Sequence, residues 1–308
     1  MRVNAAREKS NTTAISTTIK MQMQSKFVAC LSSSGFHRLR YFEWGDAANP
    51  RVLVCVHGLT RCGRDFDTLA QALSGHYRVI CPDIVGRGES DWLANKANYT
   101  YPQYLSDMAT LLAAVLANSG DDAGASVHWV GTSMGGIIGM LLAAQPHTPI
   151  TRLVINDVGS FIPKASLERI AMYVGKTPPF ASIDAAVAAV RATSPFGPLS
   201  EGEWRTLTLP LLKQNAVGEW EFRYDPGVGE AFRSGLIVDV DLLPFWNAIA
   251  CPVLLTRGAD SDLLLKPTYE AMCRKADVRG VEFADVGHAP MFQHADQIDA
   301  VKAFLTAP

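Results

Sequence analysis

The stretch Ser126-Val-His-Trp-Val-Gly-Thr-Ser133-Met-Gly-Gly-Ile-Ile-Gly-Met-Leu-Leu-Ala-Ala-Gln145 decides how the rest of the chain is read. Residues 126–131 have the composition of a buried strand. Residues 135–145 are apolar almost all round, the pattern of a helix enclosed by other elements. Between them, Gly131-Thr132-Ser133-Met134-Gly135 matches G-x-S-x-G in the strand–turn–helix setting the motif requires. The reason for the glycines is crowding. A sharp turn holds the serine in strained backbone geometry with its hydroxyl exposed, and only small residues two positions either side let strand and helix approach. The N-terminus of the following helix favours negative charge developing nearby. Five residues of this kind also arise by chance, so the weight lies in what surrounds them.

Outward from this stretch, short apolar runs alternate with helical patterns from about residue 37, the mark of βα units around a parallel sheet. His37–Trp44, Arg51–His57, Tyr77–Cys81, Arg152–Asn156, Pro252–Arg257 and Val281–Ala284 read as further strands. Asp65–Leu73, Tyr101–Asn118 and residues 294–306 read as helices. The second of these has apolar residues at 104, 105, 108, 111, 112, 115 and 116, with Pro102 in its first turn and Gly120 past its end. Residues 160–247 break the alternation. They are rich in proline and hold Trp204, Trp220 and Trp246, so they read as a helical insertion folded over the carboxyl end of the sheet, where open α/β sheets bind ligands.

Composition excludes several classes. The 308 residues are 48% hydrophobic and 19% charged, which rules out a disordered or fibrous chain. A chain this long buries roughly three quarters of its unfolded surface without staples. Thirty acidic against 28 basic residues, with no basic block, argues against nucleic-acid binding. No apolar run is long enough to span a membrane. The six cysteines form no CxxC pair, and several lie in strand-like runs, which fits buried free thiols in a reducing, cytoplasmic setting. Residues 1–35 read as an N-terminal extension without fixed structure: the Ser/Thr-rich start lacks a signal-peptide core, and Phe27–Leu31 is too short to supply one. Two glycosylation sequons, at Asn11 and Asn98, carry little meaning without a secretion signal.

A serine nucleophile needs a base within hydrogen-bond reach. His288, in Gly287-His288-Ala289-Pro290 after the last strand, is the candidate, with His294 as its rival. His57 reads as an orienting group. Its loop, His57-Gly58-Leu59, offers the Leu59 amide as one oxyanion donor, and the Met134 amide is the other. Three aspartates could fix the histidine tautomer: Asp157 after one strand, and Asp260 or Asp262 after the next. Asp83 and Arg87 read as an internal pair holding a glycine-rich loop. Arg61 is placed near the pocket mouth, and Cys62 lacks a base. There is no H-E-x-x-H, no paired cysteine spacing, no phosphate loop and no G-x-G-x-x-G leading a βαβ unit, so neither metal nor cofactor is expected.

From about 37 to 306 the chain resembles the α/β-hydrolase superfamily. The resemblance rests on His57-Gly58, the Asp83-x-x-Gly86-x-Gly88-x-Ser90 turn, the Gly131-Thr-Ser-Met-Gly-Gly136 elbow and Gly287-His288. It implies an α/β-hydrolase core over 36–159 and 248–308, with a mostly parallel sheet, and a helical cap over 160–247. In many members the acid lies where this chain has Ser261. Some members with serine there use an acid after the preceding strand, and Asn156-Asp157-Val158-Gly159 looks like theirs, which favours Asp157 over Asp262 and Asp260. The implied activity is hydrolysis of a small carboxylic ester or lactone through an acyl-enzyme. C–C bond hydrolysis of dienoic ring-fission products, acyl transfer, or a slow ligand receptor are the alternatives. Dehalogenase and epoxide-hydrolase chemistry is disfavoured, because both need an aspartate where Ser133 stands. The expected partner is a small-molecule substrate, with no nucleic acid and no membrane, on a monomer or homodimer.

Overall fold

The computed structural model describes residues 23–117, 126–176 and 178–307. Eight strands form one twisted sheet: β1 (Gln24–Ser32), β2 (Gly35–Trp44), β3 (Val52–Val56), β4 (Arg78–Pro82), β5 (Val127–Thr132), β6 (Ile150–Asn156), β7 (Val253–Gly258) and β8 (Val278–Phe283). Their order is β1-β2-β4-β3-β5-β6-β7-β8. The β1/β2 and β2/β4 pairs are antiparallel and the rest parallel. The sequence expectation of an α/β-hydrolase sheet holds. The order reverses around β3, so the loops leaving the adjacent carboxyl ends of β3 and β5 diverge and open a crevice between them.

β1 corrects the reading of residues 1–35 as an unstructured extension. Residues 24–32 run antiparallel to β2 from Gln24↔Glu43 to Ser32↔Gly35. Only Cys30 of this edge strand is buried, so its apolar signal is weak. The Ser32–Gly35 turn, with Gly35 at φ +109°, is the signal that marks the hairpin. Residues 1–22, and with them the Asn11 sequon, lie outside the described residues.

The strands alternate sides as a pleated sheet requires. Val52, Val54 and Val56 face one apolar cluster and Leu53 and Cys55 the other. Helix α1 (Asp67–Leu73) covers the second face, and helices α2 (Tyr101–Leu116) and α3 (Met134–Ala143) cover the first. The expected stop of α2 at Asn118 and Gly120 lies outside the described residues. All six cysteines are free thiols. Among the described residues no helix is long and apolar enough to cross a membrane.

Residues 160–247 contain helices α4 (Lys164–Ala171), α5 (Ile183–Thr193) and α6 (Glu201–Thr208). They also contain two small antiparallel ladders, Leu212–Gln214 with Trp220–Phe222 and Phe161–Ile162 with Val240–Asp241, which the purely helical expectation missed. Ser200 and Glu203 form a reciprocal cap at the start of α6. Val190, Phe196, Trp204 and Leu207 form a small core that also takes in Cys62 and Met291 from the sheet's loops. Hydrogen bonds fasten this segment to the loops below it: Arg61 Nη2 donates to the Leu207 carbonyl (3.0 Å), and the Gly287 amide to the Pro195 carbonyl (2.8 Å). Asp225 accepts from Tyr99 Oη (2.7 Å) and pairs with Lys96.

Candidate active site

Ser133 sits between β5 and α3 with φ +53°, ψ −116°, a conformation that L-residues hold only under constraint. The neighbouring packing supplies that constraint. A side chain on Gly131 would overlap the Gly135 carbonyl, and one on Gly135 would overlap the Val56 carbonyl at the end of β3. The Ser133 amide donates to the Asn156 carbonyl (2.9 Å), pinning the bend to the end of β6.

Ser133 Oγ donates to His288 Nε2 across 3.0 Å, and His288 Nδ1 donates to Asp157 Oδ2 across 2.7 Å. The Asp157 side chain is fully buried and the His288 side chain 14% exposed. Asp157 receives two further bonds, from the Gly258 amide to Oδ1 (2.9 Å) and from Ser261 Oγ to Oδ2 (2.6 Å). Three groups converge on the two oxygens of this one carboxylate, which acts as their common acceptor. With Nδ1 donating to it, Nε2 is the ring nitrogen that accepts from serine.

Of the three candidate acids, the structure brings Asp157 to His288. Asp262 instead pairs with Arg169 and is half exposed, and Asp260 is exposed on the same loop. Ser261, at the position the superfamily resemblance assigns to the acid, is one of the donors to Asp157. His294 starts the last helix and faces Glu203 (3.5 Å).

His57 is wholly buried. Its Nδ1 donates to the Gly58 carbonyl (2.7 Å), and its Nε2 accepts from the Ile84 amide (2.9 Å). Burial pushes its pKa down to about 3, so the ring is a neutral brace between two loops. Among the described residues neither the Leu59 nor the Met134 amide is donated to any acceptor. Both are free to meet an oxyanion.

Asp83 and Arg87 do not pair with each other, which corrects the sequence expectation. Asp83 accepts from the Gly63 and Glu89 amides (both 2.7 Å), and burial pushes its carboxyl up to about 7. Arg87 donates to the carbonyls of Leu59 and Val85 (both 2.8 Å) and to Tyr104 Oη (3.0 Å). Each serves the turn through backbone groups, a pattern that side-chain charge does not reveal. Sequence reasoning also missed Asn156. Its Nδ2 donates to Thr132 Oγ1 (3.0 Å) and the Pro290 carbonyl (2.8 Å), and its Oδ1 accepts from Thr256 Oγ1 (2.8 Å). This buried amide ties the ends of β5, β6 and β7 to the loop carrying His288.

Ser133 and His288 open onto a cavity of about 250 Å³ whose walls come from both the sheet's loops and the 160–247 segment. Its aromatic side chains are Tyr173, Phe180, Phe196, Phe222 and Tyr224. None of the three tryptophans lines it. Trp204 stacks on Phe196 (5.6 Å) and Trp246 is buried in the main core, so both serve packing. Away from this cavity, the buried Cys30, His37 and Asp107 present polar atoms within 4.8 Å of one another. His37 and Gln103 already hydrogen-bond the Asp107 carboxylate there (3.0 and 2.7 Å).

The family model described as "Alpha/beta hydrolase family" matches residues 53–301. The chain belongs to this family. It is 46% identical over 290 residues to a 3-hydroxybutyrate-oligomer hydrolase of Cupriavidus necator, covering 91% of this chain and 97% of that one. An esterase of Mycobacterium tuberculosis is 27% identical over 255 residues, covering 80% of this chain and 79% of that one. Among solved structures, an alpha/beta hydrolase of Novosphingobium aromaticivorans superposes with a TM-score of 0.80 at 34% identity, covering 92% of this chain and 98% of that one. This family member is a hydrolase.

Proposed function

We propose that the protein hydrolyses carboxylic esters of short hydroxyacyl chains through an acyl-enzyme on Ser133. The observation that carries this reading is the continuous bond path from Ser133 Oγ through His288 to buried Asp157, opening onto a partly open cavity. His288 takes the serine proton as Oγ attacks the ester carbon. The Leu59 and Met134 amides receive the oxyanion. The imidazolium then protonates the leaving alcohol, and neutral His288 activates water to release the acid and restore Ser133. Residues 160–247 act as a cap that shapes the cavity and excludes bulk water. The substrate class is supported by the Cupriavidus relative, whose name specifies oligomers of 3-hydroxybutyrate. Each link in such an oligomer is an ester between small, partly apolar units, a fit to a cavity slightly smaller than the roughly 300–1,000 Å³ usual for drug-sized ligands.

The test is steady-state hydrolysis of p-nitrophenyl butyrate and of linear 3-hydroxybutyrate dimer. Multiple turnover of both to free acid is expected, with loss of at least about 10³-fold in Ser133→Ala. A single stoichiometric acylation followed by arrest, or near-native turnover by the alanine variant, overturns the proposal.

A further inference from the structure

The charged groups in the cavity wall are not balanced. Arg61 and Asp65 neutralise each other at 2.6 Å, and Arg169 is paired with Asp262. Lys176 lines the same cavity from a solvent-exposed position, and among the described residues its ammonium group has no ion-pair or hydrogen-bond partner. Its position is built. Beyond α4 the chain continues as a turn in which the Val174 amide donates to the Ile170 carbonyl (3.0 Å) and the Lys176 amide to the Tyr173 carbonyl (3.1 Å). Arg169, Tyr173 and Lys176 therefore follow one another at four- and three-residue steps down one side, and all three reach the cavity.

The turn is held by Gly175 at φ +75°, where a side chain would strike the Pro226 carbonyl at 2.7 Å. The Gly175 amide donates to Tyr224 Oη across 3.2 Å, which sets that hydroxyl one residue from Lys176. Burial pushes the Tyr224 phenol up, so it stays a donor, and no acceptor among the described residues takes its proton. A cation and an unclaimed hydroxyl donor thus share a wall of the cavity into which Ser133 opens.

We propose that Lys176 and Tyr224 form a carboxylate subsite, which binds the free acid end of the substrate while an ester link lies at Ser133. This rests on the ester-hydrolase reading and narrows it. The preferred substrates are anionic esters such as the linear 3-hydroxybutyrate dimer, rather than neutral esters of the same size. The subsite makes no covalent bond and moves no proton. It fixes register, so that the reacting carbonyl sits a set length from the chain end.

The experiment compares kcat/KM for the linear dimer as free acid and as its methyl ester, in wild type, Lys176→Gln, Lys176→Glu and Tyr224→Phe. The wild type is expected to prefer the acid, with the preference shrinking as salt is added. Lys176→Gln lowers kcat/KM for the acid about fivefold and leaves the methyl ester within about twofold. Lys176→Glu reverses the preference, and Tyr224→Phe costs the acid about threefold. Equal effects of the lysine substitutions on both substrates, or no effect on either, overturn the subsite while leaving the hydrolase reading intact. Failure of the wild type to turn over either dimer or p-nitrophenyl butyrate removes the hydrolase reading itself, and the subsite with it.

Discussion

Asp157→Asn is the sharpest perturbation of this site, because the replacement keeps the shape and changes only charge and donors. In the wild type Oδ1 accepts one bond and Oδ2 accepts two, and the side chain is fully buried. An asparagine offers one oxygen and one NH₂. If the oxygen faces His288 and Ser261, the NH₂ opposes the Gly258 amide and leaves a buried N–H unpaired, a cost of about 1–3 kcal/mol in stability. If the NH₂ faces His288 instead, the ring must carry its proton on Nε2 and can no longer accept from Ser133. Both arrangements remove the negative charge beside the imidazolium. The same change in a Ser-His-Asp template lowers kcat about 10⁴-fold, so a fall of about 10³–10⁴ is expected here, a barrier increase of roughly 4–5.5 kcal/mol. Asp262→Asn, which touches only a half-exposed pair with Arg169, should change kcat less than about twofold. The assay is p-nitrophenyl butyrate hydrolysis at saturating substrate, with circular dichroism to verify folding. A folded Asp157→Asn enzyme keeping more than about a tenth of its kcat, or a larger fall in Asp262→Asn, would refute the reasoning.

Two further outcomes follow from the packing. Gly135→Ala forces a methyl group onto the Val56 carbonyl and should cost about 3 kcal/mol in denaturant unfolding, whereas Gly75→Ala, with nothing near its new Cβ, should stay within about 0.5. A Gly135→Ala protein as stable as wild type would mean that the bend has slack. His57 is held neutral to about pH 3 when folded but takes a proton near 6.5 when unfolded. The unfolded state therefore binds the extra proton between those values, and the contribution of His57 is complete above about 6.5 and lost as pH falls toward 3. The stability gap between wild type and His57→Gln should shrink over that window, and a gap that does not vary with pH would contradict the neutral brace.

The legible parts of this molecule were those governed by backbone geometry. The elbow glycines at 131 and 135 can be read because no other residue fits, and the strands because β3 and its neighbours are apolar on both faces. β1 was hidden because an edge strand with one buried residue looks like a tail. The acid stayed open because Asp157, Asp260 and Asp262 follow adjacent strands, and which of them meets His288 depends on loop directions that local composition does not encode. Asn156 escaped because its role is to join four segments distant in sequence, and a lone asparagine at a strand end has no pattern. Lys176 and Tyr224 escaped for the same reason: 48 residues separate them, and one hydrogen bond to Gly175 brings them together.

The bond from the Gly287 amide to the Pro195 carbonyl lies one residue from the imidazole. Gly287 has no side chain because Pro195 stands 2.8 Å from where one would begin. A shift of the 160–247 segment would therefore pull on the same short peptide that holds the His288 ring. Chimaeras that graft a foreign lobe onto this scaffold inherit that tether: unless the donor lobe presents a carbonyl at the same height, the transplant should shift the His288 ring relative to Ser133 even when Ser133, His288 and Asp157 are all retained.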